Sequence, residues 1–309
     1  SVAGFNMDQL GLNPRIQEVM EEQLKRPNGM IITTGPTGSG KTTALYAFLR
    51  HTHNPGVKII TIENPVEYKL DDIVQTQIGD NYTFASGLRA VLRQDPDIIM
   101  VGEIRDREVA ETALHAAQTG HLVFSTLHTN SAVGGFPRLI DLGMDSRILG
   151  SSLNIMLGQR LVRRLCEHCK EAYEPDGEDR RVIENTIASH PQQPTLPNPL
   201  TVYKAKGCEV CNGTGFSGRM AVYEGILMDE AVEEAVIRDP REHVILEAAK
   251  PQKIPSMAED GMTKVVAGVT SLQELERVVD FTNIRKEPQK PELDGPPELD
   301  TEFLAHIVK

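Results

Sequence analysis

Short apolar runs alternate with amphipathic stretches over the first half of the chain. Two stretches, Lys41–His53 and Arg105–Thr119, have the helical spacing of apolar residues, and the second ends at Gly120, a residue type that commonly ends helices. Because strands that alternate with helices are typical of a parallel sheet covered on both faces, the sequence predicts an α/β fold. Four runs rich in aliphatic and β-branched residues predict its strands: Met30–Thr34, Val57–Ile62, Ile98–Val101 and His121–Ser125.

Beyond Ser131 the pattern becomes mostly helical. The polar segment Glu174–Pro199 ends in a run with four prolines and predicts a long loop. The tail from Asn283 combines prolines with acidic residues, so we expect it to be disordered apart from a short helix at Thr301–Val308. Five segments carry a helical pattern: Phe136–Leu142, Arg147–Leu165, Ala231–Ile237, Glu242–Ala249 and Ser271–Val279.

The composition disfavours several classes of protein. At 309 residues the chain is long enough for two domains or one large one. Its 32 Lys and Arg residues against 44 Asp and Glu residues give a net charge of −12, which disfavours a general nucleic-acid binder. The absence of Trp and the scarcity of other aromatic residues leave no platform on which bases would stack. Aliphatic runs such as Ile98–Val101 are too short to span a bilayer, and no secretory signal pattern opens the chain.

A glycine-rich segment after the first predicted strand matches the pattern of a phosphate-binding loop. Its glycines let backbone N–H groups turn toward phosphate oxygens, and the helix that follows adds its partial positive charge. We expect Lys41 to reach the β- and γ-phosphates of a nucleoside triphosphate and Thr42 to ligate Mg²⁺. The alternative is a glycine-rich turn that matches by chance, which eight matched positions between a strand and a helix disfavour. The predicted nucleotide-binding residues are Gly35, Pro36, Thr37, Gly38, Ser39, Gly40, Lys41, Thr42 and Thr43.

Polar residues follow three of the predicted strands, at the edge where open α/β sheets bind ligands. Glu63, Glu103 and His128 each come just after an apolar run. Hydrolysis of a nucleotide needs a group that orients water and a carboxylate near Mg²⁺. We therefore assign Glu103 to the water, Glu63 to the metal shell and His128 to the γ-phosphate. The alternative is structural, since an acidic residue after a strand is usually a solvated cap and a histidine at the end of an element usually packs locally.

The four cysteines form two Cys-x-x-Cys pairs, Cys166/Cys169 and Cys208/Cys211. Thiolates in such pairs are preferred tetrahedral ligands of Zn²⁺, and no open coordination position is evident, so the sequence predicts a structural zinc site. The 38 residues between the pairs exceed the usual spacing of a zinc ribbon, and a redox role is the alternative. Three nearby arginines form either a docking patch or a solvated helix face: Arg160, Arg163 and Arg164.

Several motifs in a fixed order give the chain a close resemblance to the hexameric secretion ATPases, the family that powers type II secretion and type IV pilus assembly. The resemblance extends from Leu10 to Phe281. Besides the phosphate-binding loop, it rests on an acidic box at 61–67 (TIENPVE) and on LRQDPD at 92–97, which leads into GEIRD at 102–106. It rests further on a histidine box within 119–130 (TGHLV, then STLHTN) and on QRLVR at 159–163.

The resemblance implies a RecA-like fold, ring assembly and ATP hydrolysis. It places the catalytic glutamate at Glu103, the acidic-box glutamate at Glu63 and the histidine-box residues at His121 and His128. One position departs from the family pattern, because Asn64 stands where the acidic box usually has an aspartate, which removes one carboxylate near the metal. Assembly and secretion members carry a tetracysteine element and pilus-retraction members lack it, so the resemblance favours extension or secretion.

The implied organisation is a RecA-like ATPase core over 1–146, a helical C-terminal subdomain over 147–282 with a zinc-binding insert at about 166–211, and an acidic, proline-rich tail over 283–309. The implied assembly is a cytoplasmic homohexamer, peripheral at the inner membrane, that uses ATP, Mg²⁺ and Zn²⁺ and drives a platform protein without contacting nucleic acid. Family members also carry an upstream domain that supplies arginines across the subunit interface; few residues precede Leu10, so activity of this chain alone is an open question. The alternatives are a nucleotide-binding scaffold that does not hydrolyse ATP and a DNA-uptake motor.

Overall fold

The computed structural model describes residues 5–282, and a seven-stranded sheet forms their centre. The strands are β1 (Gly29–Thr34), β2 (Ile59–Glu63), β3 (Val74–Gln77), β4 (Ile98–Val101), β5 (Leu122–Leu127), β6 (Leu153–Leu165), β7 (Glu171–Tyr173), β8 (Val202–Lys204) and β9 (Phe216–Leu227). The sheet has the order β3-β2-β4-β5-β1-β6-β9. Neighbouring strands in it are parallel except β9, which is antiparallel to β6. Strands β7 and β8 form a separate antiparallel pair.

Helices cover both faces of the sheet. They are α1 (Pro14–Leu24), α2 (Lys41–Thr52), α3 (Phe84–Leu92), α4 (Arg107–Gln118), α5 (Gly135–Asp141), α6 (Ser146–Ser152), α7 (Gly177–Ser189), α8 (Glu230–Arg238), α9 (Glu242–Ala249), α10 (Met257–Val266) and α11 (Leu272–Leu275). Met30 and Ile32 of β1 belong to a core that includes α3 and α4, whereas Ile31 belongs to a core that includes α1 and α2. Because both faces are covered, β1 is buried along its whole length.

The predicted α/β fold is confirmed, with a parallel-rich sheet between helices. The four predicted strands correspond to β1, β2, β4 and β5, and the two predicted helices of the first half correspond to α2 and α4. Strands β3, β7, β8 and β9 and helices α1, α3 and α10 are additions that the sequence pattern did not predict.

Two local predictions are wrong. The segment Arg147–Leu165 is helical only to Ser152 and continues as the strand β6. The first seven residues of β6 are all buried between β1 and β9, so the strand has no polar alternation that would distinguish it from a helix. The segment Glu174–Pro199, predicted as a loop, contains α7, whose buried residues Val182, Ile183 and Ile187 pack in a small third core. Pro175 precedes the helix, and the four prolines on which the loop prediction rested begin at Pro191, after the helix has ended.

The strands before and after residue 146 belong to one sheet, because β6 is hydrogen-bonded to β1 on one side and to β9 on the other. The division into a core over 1–146 and a subdomain over 147–282 stays a prediction. The tail over 283–309 and its expected short helix lie outside the described residues. Within residues 5–282, none of the helices has both the length and the apolar character that crossing a membrane requires.

The carboxyl ends of β1, β2, β4 and β5 meet at one edge of the sheet because these strands are parallel. The phosphate-binding loop follows β1 at this edge, and Glu63 is the last residue of β2. Glu103 follows β4 by two residues, and His128 follows β5 directly. The topology therefore brings four separate sequence motifs to a single edge, as expected for a ligand site in an open α/β sheet.

Candidate functional site

The phosphate-binding loop connects β1 to α2 in a conformation that needs glycine. Gly35, Gly38 and Gly40 have φ values of +148°, +79° and +87°. A Cβ atom on Gly35 would lie 2.5 Å from the carbonyl oxygen of Gln159, so a side chain at Gly35 would displace the backbone of β6. The loop is thus shaped by its glycines and by its packing against β6.

Lys41 lies inside the curve of this loop. Its Nζ donates hydrogen bonds to the carbonyl oxygens of Gly35 at 2.7 Å and Pro36 at 2.9 Å. Burial lowers the pKa of Lys41, while the nearby Glu103 carboxylate raises it and the Arg160 guanidinium lowers it. An ammonium group in this place is stabilised when anionic oxygens approach it. This agrees with the motif, which predicts that Lys41 contacts the phosphates.

A cavity of about 600 Å³ opens in front of the loop. Its lining includes residues 37–43 together with Glu63, Glu103 and His128, so three of the four residues assigned outside the loop lie in one site with it. The hydroxyl of Ser39 is buried, with 3% of the residue exposed, and has no hydrogen-bond partner among the described residues. Such an orphaned polar atom beside a phosphate-shaped loop is satisfied when a polar ligand enters.

Glu103 is held between β2 and β5 by its neighbours in the chain. The Gly102 amide donates to the Ile62 carbonyl at 2.8 Å, and the Ile104 amide donates to the Thr126 carbonyl at 3.0 Å. The carboxylate, on a residue only 9% exposed, lies 3.3 Å from Nε2 of His128 and forms an ion pair with Arg105. A carboxylate fixed in this way beside a histidine and facing a cavity is suited to orient a water molecule.

Glu63 is more tightly held than Glu103. It is 2% exposed, and its carboxylate accepts hydrogen bonds from the hydroxyls of Tyr46 and Thr61 and, at 3.2 Å, from Nε2 of Gln75. Burial raises the pKa of Tyr46, and the hydrogen bond to Glu63 raises it further. Three of the roughly four acceptor positions of a carboxylate are therefore occupied, which leaves about one for a metal or a metal-bound water. The metal-shell role of Glu63 stays a prediction.

Replacing Tyr46 by phenylalanine is expected to destabilise the protein by about 1–3 kcal/mol, because a buried carboxylate loses a donor. Tyr82→Phe is a matched control, since its hydroxyl shares a neutral hydrogen bond with Thr76 at 3.1 Å. Urea unfolding of both variants measures the difference. Equal losses of unfolding free energy would show that the bond to Glu63 is worth no more than a neutral one.

His121 does not join the other site residues. It lies at the amino end of β5, where its Nδ1 is 3.1 Å from the carbonyl oxygen of Ala116, and its own carbonyl accepts from the Gly29 amide. His128 lies at the other end of the same strand, roughly 20 Å away at about 3.3 Å of rise per residue. Within one chain, His121 is therefore too far from the phosphate-binding loop to touch a ligand there, and its functional role stays a prediction.

A second cavity of about 690 Å³ adjoins the first. Four residues line both cavities: Gly40, Thr43, Leu161 and Arg219. Leu10, Met220 and Tyr223 give the second cavity apolar walls. Gln159 also lines it; the residue is 2% exposed, and its Oε1 has no hydrogen-bond partner among the described residues. The phosphate-binding loop therefore adjoins a second space whose lining combines apolar side chains with polar and charged ones.

Several of these residues were missed by reasoning from sequence. Arg105 lies in the GEIRD segment, but no role was assigned to it there. Tyr46 and Gln75 hold Glu63 from α2 and β3, and a lone tyrosine or glutamine gives no sequence signal of such a role. Gln159 and Arg219 come from β6 and β9, which were not predicted as strands. Their place beside the loop depends on sheet order and cannot be read from spacing.

The four cysteine sulfurs form a compact cluster. All four lie within 4.8 Å of one another, and individual Sγ–Sγ distances are 4.0 Å for Cys166–Cys208, 3.8 Å for Cys169–Cys211 and 3.7 Å for Cys208–Cys211. Tetrahedral Zn²⁺ with Zn–S bonds of about 2.3 Å requires Sγ–Sγ separations of about 3.8 Å. The donor set and its spacing therefore fit a closed zinc site.

Antiparallel pairing explains how distant cysteines meet. Leu165 at the end of β6 pairs with Phe216 at the start of β9, so the two Cys-x-x-Cys turns lie at the same end of this strand pair. The intervening residues form β7, α7 and β8. Burial raises the pKa of the Cys211 thiol, but amide donors from Cys208 at 3.2 Å and Gly215 at 3.1 Å, together with the Cys208 and Cys169 side chains, outweigh it and lower the pKa to about 6. Such N–H···S contacts stabilise a thiolate.

Comparison with known proteins identifies the family of this chain. Residues 1–277 match the model of the family described as "Type II/IV secretion system protein". Type II secretion system ATPase E of Vibrio cholerae is 44% identical over 276 residues, which cover 89% of this chain and 53% of that protein. The type IV pilus assembly ATPase PilB of Thermus thermophilus is 41% identical over 271 residues, or 87% of this chain and 30% of that protein. The chain thus spans about half the length of the type II secretion relatives it matches.

Solved structures show the same fold. The pilus retraction motor PilT, determined with bound ADP, superposes with a TM-score of 0.65 at 27% identity, covering 90% of this chain and 68% of that one. The ATPase DotB of Legionella pneumophila gives a TM-score of 0.62 at 24% identity, covering 89% and 65%, and shows likeness of fold alone.

Proposed function

The chain belongs to the family of type II/IV secretion system proteins, and from this premise we propose that it is a magnesium-dependent ATPase of a secretion or pilus-assembly machine. The observation that carries the proposal is the convergence of the phosphate-binding loop with Glu63, Glu103 and His128 around one cavity. Relatives named as a secretion ATPase and a pilus assembly ATPase support it. So does the likeness to a retraction motor determined with ADP.

In this proposal the loop holds the phosphates of ATP. Lys41 moves from the loop carbonyls to the β- and γ-phosphates, and Thr42 is the Mg²⁺ ligand at the start of α2. When bound there, Mg²⁺ would neutralise part of the charge of the phosphates. Glu103 orients the attacking water and accepts its proton, while His128, 3.3 Å from that carboxylate, contacts the γ-phosphate. Glu63 would accept a hydrogen bond from a metal-bound water, or bind the metal itself, through its one remaining acceptor position.

The assembly we propose is a homohexamer in the cytoplasm at the inner membrane. There it would use ATP hydrolysis to drive a membrane platform protein, with no direct contact with nucleic acid. The zinc site would hold the ends of β6 and β9 together, and its presence favours secretion or pilus extension over retraction.

ATP affinity of a Lys41→Ala variant tests the nucleotide site. Loss of a charge-assisted contact with the phosphates is expected to weaken ATP binding by about 10- to 150-fold, corresponding to ~1.5–3 kcal/mol. Calorimetric titration of the full chain with Mg-ATP measures it, and Lys25→Ala, an exposed lysine at the end of α1, is the control with the same charge change. Equal ATP affinity in the two variants would contradict the proposed site.

A further inference from the structure

We propose that Arg219 contacts bound ATP at the point where the phosphates join the nucleoside. The inference rests on the proposed function and assigns to that site a residue that lies in none of the motifs described above. It follows from the place of Arg219 in the sheet, from its position between the two cavities and from its having no ion-pair partner among residues 5–282.

Strand β9 places Arg219 on the side of the sheet that faces α2. Side chains alternate along a strand, so Arg219, Ala221 and Tyr223 share one face. Ala221 and Tyr223 belong to the core that includes Leu45 and Phe48 of α2. Arg219 continues this row beyond the core, toward the end of α2 where the phosphate-binding loop lies.

The two cavities meet at Arg219. Of the residues that line both cavities, it is the only one with a charged side chain, since the others are Gly40, Thr43 and Leu161. A triphosphate on the loop occupies the first cavity. The second is lined by apolar residues such as Leu10 and Met220 together with polar ones such as Arg164 and Glu167. Such a mixed lining suits a nucleobase, and the buried, unpartnered Oε1 of Gln159 lies on a residue of the same wall. A nucleotide that fills both cavities therefore crosses the boundary that Arg219 lines.

The guanidinium of Arg219 is available for a ligand. The other two long cations that line the first cavity are already engaged: Lys41 with loop carbonyls and Arg105 with Glu103. Within residues 5–282, no carboxylate lies within ion-pair distance of Arg219. An arginine fork next to a phosphate chain forms charge-assisted hydrogen bonds, and a ribose hydroxyl accepts from the same group.

Equilibrium binding of three probes tests this placement: ATP, ADP and inorganic tripolyphosphate, which fills only the phosphate cavity. Arg219→Ala is expected to lower the affinity for ATP and ADP about tenfold and the affinity for tripolyphosphate clearly less. Arg219→Lys is expected to recover part of the lost affinity. Arg147→Ala, an exposed arginine on α6 that lines neither cavity, is the control for lost charge. Thermal unfolding by circular dichroism confirms that each variant is folded.

The outcomes separate this inference from the function on which it rests. If the wild-type chain binds ATP and Arg219→Ala stays within twofold of Arg147→Ala, Arg219 has no contact with the nucleotide. If tripolyphosphate loses as much affinity as ATP, the placement at the junction with the nucleoside is wrong. A wild-type chain that binds no ATP overturns the proposed function itself, and the assignment of Arg219 with it.

Discussion

Replacing Glu103 by glutamine is expected to lower the rate of ATP hydrolysis by about 10²- to 10⁴-fold while ATP binding stays close to that of the wild type. The amide keeps the size of the side chain and can still contact His128, but it cannot accept the proton of the attacking water. Backbone bonds of Gly102 and Ile104 fix the position of residue 103 between β2 and β5, so the substitution leaves the geometry in place. The lower rate of hydrolysis would therefore come from the missing base and not from a change in the fold.

Steady-state phosphate release with Mg-ATP, measured over a range of protein concentrations, checks this prediction. Glu111→Gln is the matched control, because Glu111 is exposed on α4, lines neither cavity and forms an exposed ion pair with its i−4 neighbour Arg107. Specific activity that rises with protein concentration in the wild type, and in the control, would support a ring as the active form. Turnover by Glu103→Gln at the wild-type rate would exclude Glu103 as the base. Tight ATP binding without turnover in any variant would favour a nucleotide-binding scaffold.

The convergence of the loop, Glu63, Glu103 and His128 at one cavity was predictable because each motif is local in sequence. The loop, Glu63, Glu103 and His128 each follow one short apolar run, and parallel strands bring such residues to one edge without further information. His121 shows the limit of this reasoning. It belongs to the same histidine box as His128, yet the strand between them carries it to the opposite edge of the sheet.

Long-range pairing accounts for what the sequence did not show. The burial of the first seven residues of β6 removes the alternation by which a strand is recognised. Its partner β9 was missed as well. Arg219 and Gln159 became site residues only when sheet order placed them beside the loop. The helix α7 was hidden by polar composition, although its buried residues repeat at helical spacing and pack against α10.

One strand pair connects the two predicted ligand sites. The backbone of Gln159 in β6 packs against Gly35 of the phosphate-binding loop. Six residues later the same strand ends at Leu165, next to Cys166. The paired strand β9 begins after Cys211 and reaches the cavity boundary at Arg219. Ordering of the cysteine cluster therefore bears on the wall of the nucleotide cavity as well as on the residues between the two cysteine pairs.

Loss of one zinc ligand is expected to have the largest effect on stability. Cys211→Ser should reduce bound zinc from about one atom per chain to near zero, because a closed four-thiolate site loses a ligand that two backbone amides hold as thiolate. Structural zinc contributes folding free energy directly, so we expect a loss of about 3 kcal/mol or more, roughly 5–10 °C in unfolding midpoint. The residues between the pairs, with β7, α7 and β8, should become sensitive to proteases first.

Metal analysis of the purified protein and thermal unfolding by circular dichroism measure both effects. Ser217→Ala is the matched control, since Ser217 is exposed, follows the second cysteine pair and contributes no ligand. The control should keep its zinc and unfold within about 1 °C of the wild type, as surface substitutions usually do. Full zinc content in Cys211→Ser would show that the cluster is not a four-cysteine site. An unchanged unfolding midpoint after zinc loss would show that the metal does not stabilise the end of the β6–β9 pair.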